Sequence, residues 1–146
     1  MNTRYPNTCY DTTELEDALT GHRIVEAEEN PGSPGETTGL WSWHDPEIVL
    51  TLDNGTKIYL SGNEGGCICG AGDYRLAKHV STTDNIITAV HVEAAPGSDD
   101  DDDDGHYSIF VYTGNAKIEA VRFDGTDGNG YYGTGFEFLV DKVELA

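Results

Sequence analysis

Cys67 and Cys69, one residue apart in a glycine-rich stretch at 62–72, are the side chains in this chain best suited to metal or redox chemistry. Thiolates at that spacing can bind a soft metal, but a closed zinc site takes four ligands and no second cysteine pair exists to complete one. Cys9 and His79 could join only through the fold, so buried or partly buried structural thiols are the expectation, with a redox or metal role as the alternative. A Cys69 and His79 dyad is arithmetically available for nucleophilic catalysis, but nothing in the spacing marks it. The five histidines, His22, His44, His79, His91 and His106, share no ligand spacing. Neither a G-x-S-x-G elbow nor a phosphate loop occurs. The reading is therefore of a non-enzymatic chain without a cofactor.

Six consecutive aspartates at 99–104 resemble a calcium site in composition alone. A calcium loop spaces its carboxylates around one ion and turns on a glycine, whereas adjacent aspartates repel one another, so a solvated loop insertion is expected. The stretch 124–130 likewise fails the calcium-loop spacing, because Thr126 and Gly128 would occupy ligand positions. Two aromatic clusters suit binding better: Trp41 with Trp43, and Tyr131 with Tyr132 between Gly130 and Gly133. Tryptophan and tyrosine dominate binding hot spots, and glycines beside them let a backbone approach a ligand or a neighbouring strand. A tryptophan folded back over the core is the equally weighted structural reading.

The formal net charge is −19, from 27 acidic and 8 basic side chains. Direct nucleic-acid binding is disfavoured, because that affinity comes from lysine and arginine neutralising phosphates. A basic protein partner, or nucleic-acid mimicry, is compatible with the charge, as is solubility alone. No apolar stretch spans a bilayer, and the first residues lack the apolar core of a signal peptide, so a cytoplasmic location and no membrane association are expected. Three cysteines, an odd number, argue against a secreted disulfide framework.

The elements that would carry these residues are mostly strands. At 146 residues with 18 glycines and eight tyrosines, the chain reads as one mainly β domain, 1–146, with residues 1–12 and 97–105 expected to be flexible. A capping box at Thr13 to Glu16 starts a short helix over 14–20, which Gly21 stops. An order of elements then recurs: strand, long polar loop, alternating strand, tight turn, alternating strand, at about 22–61 and again at about 86–124. In the first copy, 22–28 leads into hairpin 47–60, where a three-residue turn at Asp53, Asn54 and Gly55 sets Leu50 opposite Ile58 and Ile48 opposite Leu60. In the second copy, 86–93 leads into a hairpin with a two-residue turn at Gly114 and Asn115, setting Val111 opposite Ile118 and Ile109 opposite Ala120. Residues 73–80 read as one or two helical turns, and 135–140 as a final strand. Two three-strand units in a twisted antiparallel sheet or small barrel, with an N-terminal helix, is the expected β-rich α+β fold.

Taken together, Leu19-Thr20-Gly21-His22-Arg23-Ile24, the turn at 52–56, Gly66-Cys67-Ile68-Cys69, Asn85-Ile86-Ile87 and Gly128-Asn129-Gly130-Tyr131-Tyr132-Gly133 resemble the DUF7448-type family of small proteins of unknown function. The resemblance covers roughly 19–139. It implies a β-rich scaffold and a bacteriophage origin, notably in phages of actinobacteria, and it brings no active site to carry over. The chain departs from the family pattern where Ile68 separates the cysteines and where the aspartate run is inserted. The resulting expectation is a non-enzymatic phage protein that binds a host protein or small ligand in the host cytoplasm, for host takeover or counter-defence, with Trp41, Trp43, Tyr131 and Tyr132 as anchors. A virion-associated or decorating protein is the alternative, and a thiol-dependent enzyme a third reading. A homo-oligomer is compatible with the sequence.

Overall fold

The computed structural model describes residues 7–9, 11–31, 46–62, 71–95, 97, 105–128 and 135–142. Its elements in chain order are β1 (Asn7–Thr8), α1 (Thr13–Leu19), β2 (Ile24–Glu29), β3 (Ile48–Leu52), β4 (Lys57–Gly62), β5 (Ala71–His79), β6 (Ile87–Ala95), β7 (Gly105–Thr113), β8 (Ala116–Gly128) and β9 (Phe136–Asp141). The strands form two antiparallel sheets and not a closed barrel: β1-β9-β4-β3-β2, and β5-β8-β7-β6.

Each of the two repeated units forms the body of one sheet. The meander β2-β3-β4 lies in the first sheet and β6-β7-β8 in the second, and each recruits its fourth long strand from the other half of the chain. After β4 the chain crosses to lay β5 beside β8, and after β8 it crosses back to lay β9 beside β4. The repeat is thus a four-strand unit whose last strand is exchanged. Its two lead-in strands even share an irregularity, a register shift directly after Ile24 in β2 and directly after Ile87 in β6.

The first hairpin forms in the expected register, Leu50 opposite Ile58 and Ile48 opposite Leu60. Gly55 takes a left-handed φ of 87° and donates to the Leu52 carbonyl at 2.9 Å, a conformation open to glycine at little cost. The second hairpin turns at Gly114 and Asn115 and pairs Val111 with Ile118, but Ile109 lies opposite Val121, not Ala120. A bulge between Ile109 and Phe110 makes the difference. Continuing the alternation from Ile118 would have turned Arg122 inward and Phe123 outward; one extra residue at Ala120 restores Val121 and Phe123 to the core.

The helix expected at 73–80 is instead the strand β5. The open edge of β8 supplies a partner for its backbone, and Tyr74 and Leu76 alternate inward before a bulge at Ala77. Helix α1 begins one residue earlier than expected and is capped differently. Thr12, not Thr13, is the N-cap, and its hydroxyl donates to the Glu16 carboxylate at 2.8 Å.

Between the sheets lies a core that includes Ile24, Ile48, Leu50, Leu52, Ile58, Leu60, Val111, Val121 and Phe138, with Leu15, Ala18 and Leu19 of α1 packed into it. Apolar burial at about 25 cal/mol per Å² is the main stabilising term for such a core. The sheets cross more than they align, which contacts along β5 make plain. Glu29, at the end of β2, meets His79; Glu47, before β3, meets Leu76; Gly62, at the end of β4, abuts Tyr74. Successive strand ends of one sheet therefore run down the length of a single strand of the other. That is the corner geometry of orthogonally packed sheets, where strands pass from one layer to the next.

Candidate functional site

At this corner the exchanged strands enter and leave. Gly62 is paired with Phe136, and Ala71 with Gly128. The segment carrying Cys67 and Cys69 leaves the first sheet at Gly62 and joins the second at Ala71; the segment carrying Tyr131 and Tyr132 leaves the second at Gly128 and rejoins the first at Phe136. Two separate segments thus leave and re-enter the described fold at two pairs of adjacent backbone positions. The segment carrying Trp41 and Trp43 leaves at Pro31 and returns at Pro46, its neck closed by the Asn30 amide donating to the Glu47 carbonyl at 2.8 Å. Trp41, Trp43, Cys67, Cys69, Gly130, Tyr131, Tyr132 and Gly133 themselves lie outside the described residues, as do the aspartates at 99–104.

One side chain, beside the neck at Pro46, reaches the neck at Gly62 and the middle of β5. Glu47 Oε1 accepts the Gly62 amide at 2.9 Å, with the Ser61 hydroxyl at 3.4 Å, and Oε2 accepts the Leu76 amide at 2.7 Å. A single half-buried carboxylate therefore ties β3 and β4 to β5, the charge strengthening both bonds. Below it, aromatic side chains fill the angle between the sheets: Tyr74 and Tyr107 meet edge to face at 5.0 Å, and Phe123 stacks on Phe136 at 5.5 Å. Two glycines make the close approach feasible. A Cβ on Gly62 would collide with the Tyr74 carbonyl, and one on Gly135, whose φ is 76°, with Cys9 and Tyr107. Sequence reasoning missed Glu47, since nothing local distinguishes a glutamate after a proline.

Elsewhere the described polar groups form structural networks. The Asp53 carboxylate, in the first hairpin turn, lies 2.8 Å from His22 Nδ1 and accepts the Arg23 amide at 3.2 Å. Burial pushes its pKa up, but the His22 hydrogen bond, the Arg23 amide and both neighbouring charges outweigh that and hold it below the ordinary aspartate range. The pair has the shape of a base and its orienting carboxylate, yet among the described residues no hydroxyl or thiol hydrogen-bonds the other ring nitrogen of His22. It fastens the turn to β2. On the outer face of the second sheet, Ser108 Oγ donates to Glu119 at 2.8 Å and Lys78 Nζ lies 3.0 Å from it. These partners, with Arg122, more than offset the burial that raises the Glu119 pKa, so it too is lowered.

His79, the ligand or base considered for the cysteine pair, has both ring nitrogens engaged: Nδ1 with the Val80 carbonyl at 2.9 Å and Nε2 with Glu29 at 3.1 Å. Among the described residues no three histidine, cysteine, aspartate or glutamate side chains converge as a metal site would require. Among the described residues no helix is long and apolar enough to cross a membrane.

Comparison with curated proteins and with solved structures found no match. Comparison with family models matched residues 17–138 to a domain of unknown function, DUF7448. The match runs from α1 to the last strand and takes in both exchanged units, so the chain belongs to the DUF7448 family.

Proposed function

We propose that this is a non-enzymatic bacteriophage protein that acts in the host cytoplasm by engaging a host protein or a small ligand, as host-takeover and counter-defence factors do. The observation that supports this reading most is the corner: three loops, two of them rich in tryptophan or tyrosine by sequence, have their necks fixed at one place on a rigid sandwich. Loops carried by a β scaffold are a common way to build a binding surface. Trp41, Trp43, Tyr131 and Tyr132 are the anchors in this reading, with Gly130 and Gly133 admitting close backbone approach. Cys67 and Cys69 are structural thiols.

The test is capture from host lysate together with a metabolite-binding screen, run on the wild type and on Trp43→Ala and Tyr132→Ala. The reading expects a partner whose binding falls at least tenfold in either variant while the melting temperature holds. Retention of every partner by both variants, or stoichiometric presence of the chain in purified virions, overturns it.

A further inference from the structure

Sheet edges expose unpaired amides and carbonyls, and proteins usually guard them. Among the described residues, three of the four sheet edges are guarded. The outer edge of β9 is capped by β1; β2 carries Glu26, Glu28 and Glu29 after its bulge; β5 carries Arg75 and Lys78 around its own bulge, and the other sheet stacks along it.

The edge of β6 is different. Its pairing with β7 is unbroken from Ala89 to Ala95, with Glu93 as the one carboxylate and neither lysine nor arginine in that stretch. Thr88, Ala89, His91, Ala94 and Ala95 are exposed, so no described residue packs over the strand as a whole. At its start a neighbouring strand is already sketched: the Gly21 amide donates to the Ile87 carbonyl at 2.7 Å, and the Ile87 amide to the His22 carbonyl at 2.8 Å. Past Ile87 no described residue continues that pairing.

Charge decides what could continue it. Between Lys78 and Lys117 the sequence contains no lysine or arginine, while Asp84, Glu93 and the six aspartates at 99–104 all fall within that interval. Helix α1, which packs beside β6, adds Glu14, Glu16 and Asp17 and no basic residue. On the sheet itself Lys117 lies over Phe110, the partner of His91, and Arg122 acts on Glu93. An extended segment added here also meets Glu93, the acids of α1 and a chain of net charge −19, which attracts cations and repels another copy.

We propose that the free edge of β6, Ala89 to Ala95, takes an extended, lysine- or arginine-bearing segment of a partner protein as a fifth strand of the second sheet. Main-chain hydrogen bonds supply the pairing and alternate basic side chains read the acidic surroundings. This deepens the binding function proposed above and rests on it, adding the chemistry of the partner and a second point of contact.

The probe is a fluorescent ten-residue peptide alternating lysine with valine or threonine, titrated by anisotropy. It is compared with the same peptide N-methylated at alternate residues, which keeps the charge and removes the pairing. His91→Pro and Val92→Pro accompany it, because neighbouring residues point their amides to opposite sides and one of the two must face the free edge. The expected result is saturable binding that weakens with salt, drops at least tenfold on N-methylation, and is lost in the proline variant that keeps the wild-type melting temperature. Equal binding of the N-methylated peptide overturns the proposal, as does binding unchanged in both proline variants, or dimerisation abolished by them, which would put a second copy on the edge. Loss of lysate partners in Trp43→Ala with peptide binding intact separates failure at the corner from failure here.

Discussion

Replacing Glu47 by alanine should loosen the corner without touching the hydrophobic core. The carboxylate accepts two backbone amides, Gly62 at 2.9 Å and Leu76 at 2.7 Å, and these come from different sheets. Hydrogen bonds to a charged group contribute about 1.5–3 kcal/mol each. Glu47 is half-buried, so water can reach part of the vacated site and the full sum is not expected. A loss of about 3 kcal/mol follows, which for a chain of this size lowers the melting temperature by roughly 10 °C. Glutamine has one acceptor oxygen for two donors and turns its own amide toward the second, so Glu47→Gln should lose at least half as much. Urea unfolding and calorimetry read the stability, and hydrogen exchange at the Gly62 and Leu76 amides reads the locality, with both accelerating before global unfolding. An alanine variant within about 0.5 kcal/mol of wild type, or one whose exchange changes elsewhere but not at these amides, would refute the claim that this side chain ties the sheets.

Gly62→Ala should destabilise by about 3 kcal/mol or more, seen as a fall in the urea midpoint, because a Cβ there meets the Tyr74 carbonyl and the strands must part. Glu119, held below the ordinary glutamate range in the fold, stabilises the protein at pH values above the unfolded value of about 4.3 and loses that contribution as pH falls through its lowered value. Glu119→Gln should therefore flatten the acid limb of urea midpoints measured against pH. Because β5 and β9 are exchanged, fragments 1–80 and 81–146 should each lack strand structure by circular dichroism and recover it on mixing. Independent folding of either fragment would contradict the exchange.

Much of each meander was legible from alternation. In the first hairpin, Asn54 and Gly55 offer the turn, and only a three-residue connection puts Leu50 and Ile58 on one face. The bulge at Ala120 was written in the sequence as a change of phase, Ile118 then Val121 and Phe123, which a strict two-residue period overlooks. Strand β5 was not legible. Tyr74, Leu76 and Ala77 fit a helical turn nearly as well as a strand, and the deciding force is the open edge of β8 far along the chain. The exchange of fourth strands is hidden for the same reason, since which sheet a strand joins depends on long-range pairing and not on local pattern. The aromatic candidates were chosen by residue type; that the segments carrying them leave the fold at one corner came only from the pairing of Gly62 with Phe136 and the bonds of Glu47 to Gly62 and Leu76.

Hydrogen exchange on the chain with and without its captured partner addresses the central claim most directly. Protection concentrated in peptides covering 32–45, 63–70 and 129–134, together with the β6 amides from Ala89 to Ala95, is the predicted footprint. Protection confined to the outer face of the β2-β3-β4 sheet, with those segments unchanged, would contradict it.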